Sequence, residues 1–207
     1  MIATDMKERI QQKANDLFRR YGVKSITMDE IATQLGVSKK TIYHFYSDKD
    51  ELVEAVVGNV ISYAQQSCEV HKEGAANAVD EIFRAMEFIR EMFTGLNPAM
   101  VYDLDRFHPK AYKTFVDHKN KYLYQLIVKN LERGIAEGLY RPDINIDVMA
   151  KFRLEGMMMA FNQEIFPSTK YNMAEIQQVI IEHILFGVAS LKGYNLILKY
   201  QQERIKS

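Results

Sequence analysis

Apolar residues recur at three- and four-residue spacings almost from one end of this chain to the other, and hardly any stretch alternates as a half-buried strand would. Four prolines in 207 residues, three of them between the periodic stretches, leave those stretches uninterrupted. The pattern predicts an all-α chain of nine or ten helices without a sheet. With 47% hydrophobic and 26% charged residues, the chain has the composition of a packed protein, not of a disordered one. Its most apolar run, VIIEHILFGVASL, is broken by Glu182 and His183, so no membrane span is expected.

The sharpest local pattern lies in residues 7–52. A first helix from about Asp5 to Tyr21 presents Ile10, Ala14, Leu17, Phe18 and Tyr21 on one face. Gly22 suits its stop. Thr27 with Glu30 has the spacing of a capping box and opens a helix from Met28 to Leu35. Gly36 ends that helix, and Ser38 caps a third, Lys39 to about Phe45. Ser47 with Asp50 then reads as the start of a fourth. Two short helices joined by LGVS are the signature of a helix-turn-helix unit. In the third helix Ile42 and Phe45 point inward, and Tyr46 can extend that face. Lys39 with Tyr43, and Lys40 with His44, share the outer face at four-residue spacing. Two cations, a phenol and an imidazole on a short helix suit the major groove of DNA.

Charge fits a small DNA-reading head and not a protein that coats nucleic acid. Basic and acidic residues balance at 27 each, yet residues 1–47 hold eight basic and five acidic ones. The single cysteine, Cys68, excludes an internal disulfide, and the N-terminal segment lacks the long apolar core of a signal peptide; both fit a cytoplasmic protein. No two of the five histidines stand four apart, and HExxH, CxxC and glycine-rich phosphate loops are missing. Hence neither catalytic residues nor a metal or cofactor is expected.

The segment resembles the tetracycline-repressor-like (TetR) family of bacterial regulators. The similarity runs through Ala14, Phe18 and Gly22, then Thr27, Ile31 and Ala32, then Gly36, Val37, Ser38, Lys39, Thr41, Ile42, Tyr43 and Phe45, and ends at Lys49 and Leu52. Lys40 stands where the family often has glycine. The resemblance implies phosphate contacts from Thr27 and Lys49, and a tyrosine, Tyr43, that touches phosphate or base edges. Lys39, Lys40, Thr41 and His44 would set sequence preference, with Tyr46 either at the core edge or on a phosphate. These eight residues form the expected DNA-binding set.

Residues 1–52 are thus expected to be the DNA-binding domain, and residues 53–207 a helical effector-binding and dimerisation domain. Helices are expected at about 47–71, 75–93, 98–107, 109–137, 148–165 and 173–204. The second region holds nine of the twelve tyrosines and nine of the eleven phenylalanines. The family resemblance implies a small-molecule effector there, of apolar or aromatic character given this lining. Candidate contacts are Phe88, Met92, Tyr102, Phe107, Phe115, Tyr122, Phe152, Phe161 and Phe166. It also implies a homodimer through the last two helices, about 148–165 and 173–204. Ile180, Ile181, Ile184, Leu185, Val188 and Leu191 cover more than one side there, and Gly187 offers room for close approach. Two heads about 34–36 Å apart, or a multiple, would read a palindromic double-stranded operator. The function so implied is ligand-responsive transcriptional regulation, repression being the commoner mode. The alternative is a helical interaction or architectural module whose helix-turn-helix no longer reads DNA; Lys39, Lys40 and Tyr43 speak against it.

Overall fold

The computed structural model describes residues 2–206. Among them are eleven α-helices: α1 (Ile2–Tyr21), α2 (Met28–Leu35), α3 (Lys39–Phe45), α4 (Lys49–Glu73), α5 (Ala78–Phe93), α6 (Met100–Phe107), α7 (Pro109–Asp117), α8 (Tyr124–Ala136), α9 (Ile146–Met159), α10 (Met173–Val188) and α11 (Leu191–Lys206). The all-α expectation holds. The count is higher than expected because two expected helices are divided. The helix from Pro109 passes through one π segment, His118–Leu123, before resuming as α8. The final helix breaks at Ala189, whose extended backbone forms an isolated antiparallel bridge to Tyr140. The expected 148–165 helix ends early, at Met159.

Two compact units divide the chain, and not at residue 52. The first runs to Ala64 and also takes in Gly95–His118; the second is Gln65–Thr94 with Lys119–Ser207. The first unit is built on the expected face of α1, where Ile10, Ala14 and Phe18 are at most 1% exposed. Against it pack Met28, Ile31 and Ala32 of α2, Ile42 of α3, and Leu52, Val53 and Val56 of α4, with Leu104 and Ala111 from α6 and α7. Tyr21 instead faces out. Residues 95–118 join this unit through polar bonds that sequence spacing does not reveal. The Asn97 N–H donates to Arg19 O at 2.6 Å, and the Lys24 N–H donates to the buried Asp103 carboxylate at 2.9 Å. His108, also buried, shares a hydrogen bond with Asp50 at 2.5 Å.

In the second unit α5 is the central helix, packed by α8, α10 and α11. Ala78, Val79, Ile82, Phe83 and Met86 of α5 meet Ile127 and Leu131 of α8, Leu154 of α9, and Ile181, Leu185 and Val188 of α10. Most of the α10 residues expected at a dimer contact are therefore spent inside the chain's own core; Leu191 stays exposed. Nothing crowds Gly187, an exposed residue near the end of α10, so it mediates no close approach among the described residues.

Gly134 does mark a close approach. The Tyr140 ring lies where a Cβ on Gly134 would stand, and the Tyr140 hydroxyl donates to Ala78 O and Asn130 Oδ1, each at 3.2 Å. Gly134→Ala should therefore push the ring out and break a buried polar network. A loss of about 1–3 kcal/mol in unfolding free energy is expected by urea titration; an unchanged midpoint would show that Tyr140 has room to move.

Candidate nucleic-acid interface

The helix-turn-helix unit is built as the sequence spacing suggests. Thr27 caps α2: its hydroxyl accepts from the Glu30 N–H at 3.2 Å, and the Glu30 carboxylate accepts from the Thr27 N–H at 2.7 Å. Gly36 ends α2 with φ +68°, a left-handed conformation that glycine adopts without steric cost. Ser38 caps α3 by accepting from the Thr41 N–H at 3.1 Å. The start of α4 differs by one residue from the expected Ser47–Asp50 pairing. Asp48 accepts from the Glu51 N–H at 2.8 Å, and Glu51 accepts from the Ser47 N–H at 2.7 Å. That shift frees Asp50 for His108.

Ile42 is fully buried, which fixes the rotation of α3 about its axis. Lys39, Lys40, Tyr43 and His44 are consequently exposed together, with Thr41 half-buried beside them. The Lys39 ammonium sits 5.8 Å from the Tyr43 ring centroid and pairs with Asp29 of α2 at 2.8 Å. Both partners of that pair are well exposed, so it adds little stability, about 0–1 kcal/mol. Lys40 makes no ion pair among the described residues, and its charge is open to a phosphate or a base edge.

Three members of the expected set are more engaged than their spacing implied. Tyr46 is 1% exposed and belongs to the core, which removes it from the surface offered to DNA. Its place four residues after Ile42 puts it on the same inward face. Thr27 is exposed, but its hydroxyl also donates to Glu30 at 2.9 Å. Lys49 donates to Val23 O at 2.6 Å. Burial pulls its ammonium pKa down, opposed by the nearby carboxylates of Asp103, Asp50 and Glu30. It ties the start of α4 to the turn after α1. Asp103 and His108 help to hold this head in shape and carry no local sequence signal, and Asp50, expected as a cap of α4, bonds to His108 instead. The polar spacing that connects Asp50 to His108 spans 58 residues, so no local pattern could expose it.

The nine candidate effector contacts do not converge. Tyr102, Phe107 and Phe115 belong to the first unit, where Tyr102 is 64% exposed and Phe107 lies beneath the Lys24 ammonium. Phe152 is also exposed, at 57%. The Tyr122 hydroxyl already donates to Gln65 O at 3.1 Å and to Glu69 at 3.0 Å. Phe161 packs on Phe93, and Phe166 on Tyr171. Met92 is half-buried. Phe88 alone of the nine borders a described cavity, one of about 40 Å³ in the second unit. No group of three or more His, Cys, Asp or Glu placed to hold a metal occurs among the described residues, and none of their helices is long and apolar enough to cross a membrane.

Comparison with known proteins agrees with this geometry. The profile for bacterial regulatory proteins of the tetR family matches residues 10–56. A HTH-type transcriptional regulator of Bacillus subtilis, YvaF, is 24% identical over 186 residues, which cover 89% of this chain and 96% of that protein. The HTH-type transcriptional repressor KstR2 of Mycolicibacterium smegmatis is 23% identical over 190 residues, covering 90% and 92%. Among solved structures, a TetR-family regulator from Agrobacterium tumefaciens superposes with a TM-score of 0.77 at 16% identity, over 91% of this chain and all of that one. A protein from Saccharomonospora viridis, described as a transcriptional regulator in complex with choline, gives 0.73 at 19% identity, over 90% and 99%.

The capping carboxylates make the head sensitive to acid. Glu30 is held below the usual carboxylate range by the Thr27 N–H and hydroxyl, and Glu51 by the N–H and hydroxyl of Ser47. A depressed folded-state pKa stabilises above the unfolded value, about 4.3 for Glu, and that stability is lost as pH falls through the folded one. The thermal midpoint should drop below about pH 4.5, and the double variant Glu30→Gln, Glu51→Gln should shallow that drop. An identical acid profile in the variant would assign the loss to other groups.

Proposed function

Because this chain belongs to the TetR family of bacterial regulatory proteins through its residues 10–56, we propose that it is a dimeric transcriptional repressor whose α3 helices read a palindromic operator and release it when a small effector binds the larger helical unit. The observation that carries this reading is the joint exposure of Lys39, Lys40, Tyr43 and His44 on a helix whose opposite side is pinned by buried Ile42. A fixed, cationic helix of this length offers donors to base edges while its capped neighbours meet phosphates. Lys40, Tyr43 and His44 serve base recognition, with Lys39 exchanging Asp29 for DNA. Thr27 and Lys49 serve the phosphate backbone, Lys49 while keeping its bond to Val23.

Repression is supported by the name of the mycobacterial relative, a repressor similar over nearly the whole chain. A small-molecule effector is supported by the structural neighbour that carries choline. The dimer contact is assigned to the outer faces of α9 and α10. Val148 and Phe152 on α9, and Val179 on α10, are 55%, 57% and 66% exposed, which is costly to leave in water. This face is on the helices expected from the sequence, but not on the residues first picked out there.

Band-shift titrations of the full-length protein with its own upstream DNA test the reading. Wild type should bind that DNA far more tightly than random DNA, and Lys40→Ala should lose roughly 5–100-fold for it while melting at the wild-type temperature. Equal affinity for every sequence would refute operator recognition. Sedimentation should show a dimer that Phe152→Glu with Val179→Lys converts to monomers; a persisting dimer places the contact elsewhere.

A further inference from the structure

The cavity of about 40 Å³ is lined by α4, α5, α8 and α9 within the second unit. Its walls are apolar along Ile82, Phe88 and Ile127, and Arg153 of α9 faces in among them. Arg153 makes no hydrogen bond or ion pair with any described residue, and burial pulls its pKa down from the usual arginine range. The other charges around the cavity are matched. Glu81 is paired with Arg133 at 3.2 Å, and Lys72 with Glu69 at 3.0 Å. Cys68 does not supply an anion, since burial pushes its thiol up to about 11. The Tyr140 hydroxyl is engaged with Ala78 and Asn130. A second unsatisfied group borders the same space: Nδ1 of His71 is buried without a hydrogen-bond partner.

Arg153 is half-buried, and a guanidinium that borders an apolar space without a hydrogen-bonded carboxylate is costly enough that a natural chain keeps one where something else completes it. Arginine's planar fork matches a carboxylate with two parallel hydrogen bonds. A space of this size admits a carboxylate but not the body of a metabolite, which needs roughly 300 Å³ or more. A smaller void of about 10 Å³ shares Ile82, Ile127, Asn130 and Arg153 with the first and continues between Leu131 and Ile181. Both spaces offer hydrocarbon walls on either side of one charge.

We propose that this cavity is the effector site and that its ligand is a monocarboxylic acid with an apolar tail, the carboxylate pairing with Arg153 and the tail parting the walls at Phe88 and Ile127. This rests on the effector-responsive reading above and narrows the effector from an apolar molecule to an apolar acid. His71 donates the further hydrogen bond through Nδ1.

Thermal-shift and calorimetric titrations of the full-length protein, without DNA, test the site directly. The probes are straight-chain, branched, aromatic and alicyclic carboxylic acids of six to ten carbons, as a rough range for a pocket that must open, each beside its primary amide. At least one acid should bind, and its amide should bind at least roughly tenfold more weakly. Arg153→Met should remove that acid-over-amide preference while leaving the ligand-free protein folded; Arg153→Lys should retain part of the preference. Binding of no acid, or equal binding of acids and amides, overturns the proposal. So does a preference that survives in Arg153→Met. Band shifts run in parallel separate this outcome from the broader one: intact operator binding with no acid response condemns the site alone, whereas acid binding without any operator shift condemns the regulator reading.

Discussion

The turn between the first two helices is the point on which the DNA-reading head depends. Gly22 enters it with φ +83°, and a Cβ there would stand 3.0 Å from the Asp103 carboxylate. That carboxylate, 5% exposed, takes the Lys24 N–H; Lys49 takes Val23 O; Asn97 donates to Arg19 just before the turn. Three separate stretches of chain thus close on about six residues. The buried Asp103 carboxylate would be costly to leave without the Lys24 N–H, and the other two bonds hold the same turn from its other sides. They set where α2 begins, and α2 with its glycine turn sets where α3 points.

The same economy governs the surface proposed to meet DNA. In the free protein, Lys39 leans on Asp29, Thr27 is closed by Glu30, and Lys49 serves the turn. These groups are held in place in the free protein, and under the proposed reading that lowers the ordering cost of binding a phosphate. The exposed pairs are weak enough to be exchanged. Lys40, by contrast, has no ion pair to exchange among the described residues.

Local rules made the head legible. Thr27–Glu30, Gly36, Ser38 and the Ile10–Ala14–Phe18 face are encoded within a few residues, and each is in its expected place. Tyr46 was readable in either direction, because an amphipathic tyrosine suits a core edge and a phosphate equally; only the packing of α1 against α3 and α4 decides for burial. The second unit was less legible because its lining depends on which helices meet. Periodicity alone could not tell that α10 packs on α5, nor that aromatic side chains from Tyr102 to Phe166 would be scattered. Arg153 gives no local sign at all: an arginine on a helix usually reaches only water, and its place beside an apolar cavity is set by three other helices.

The π segment His118–Leu123 has a consequence for how the sequence can change. A π turn is an α turn with one residue added, and each residue advances a helix by about 100°. Within the second unit, the faces of residues 119–123 and of α8 are therefore offset by one step. Removing one residue between Tyr122 and Asn130 would turn the rest of α8 by about 100° relative to Tyr122 within the second unit. Tyr122 would lose Gln65 and Glu69, or Asn130 would lose Ala78, with no residue at either contact altered. Length, at this one place, is as informative as identity: a relative that differs by a single deletion here must have rebuilt the contacts on one side of it.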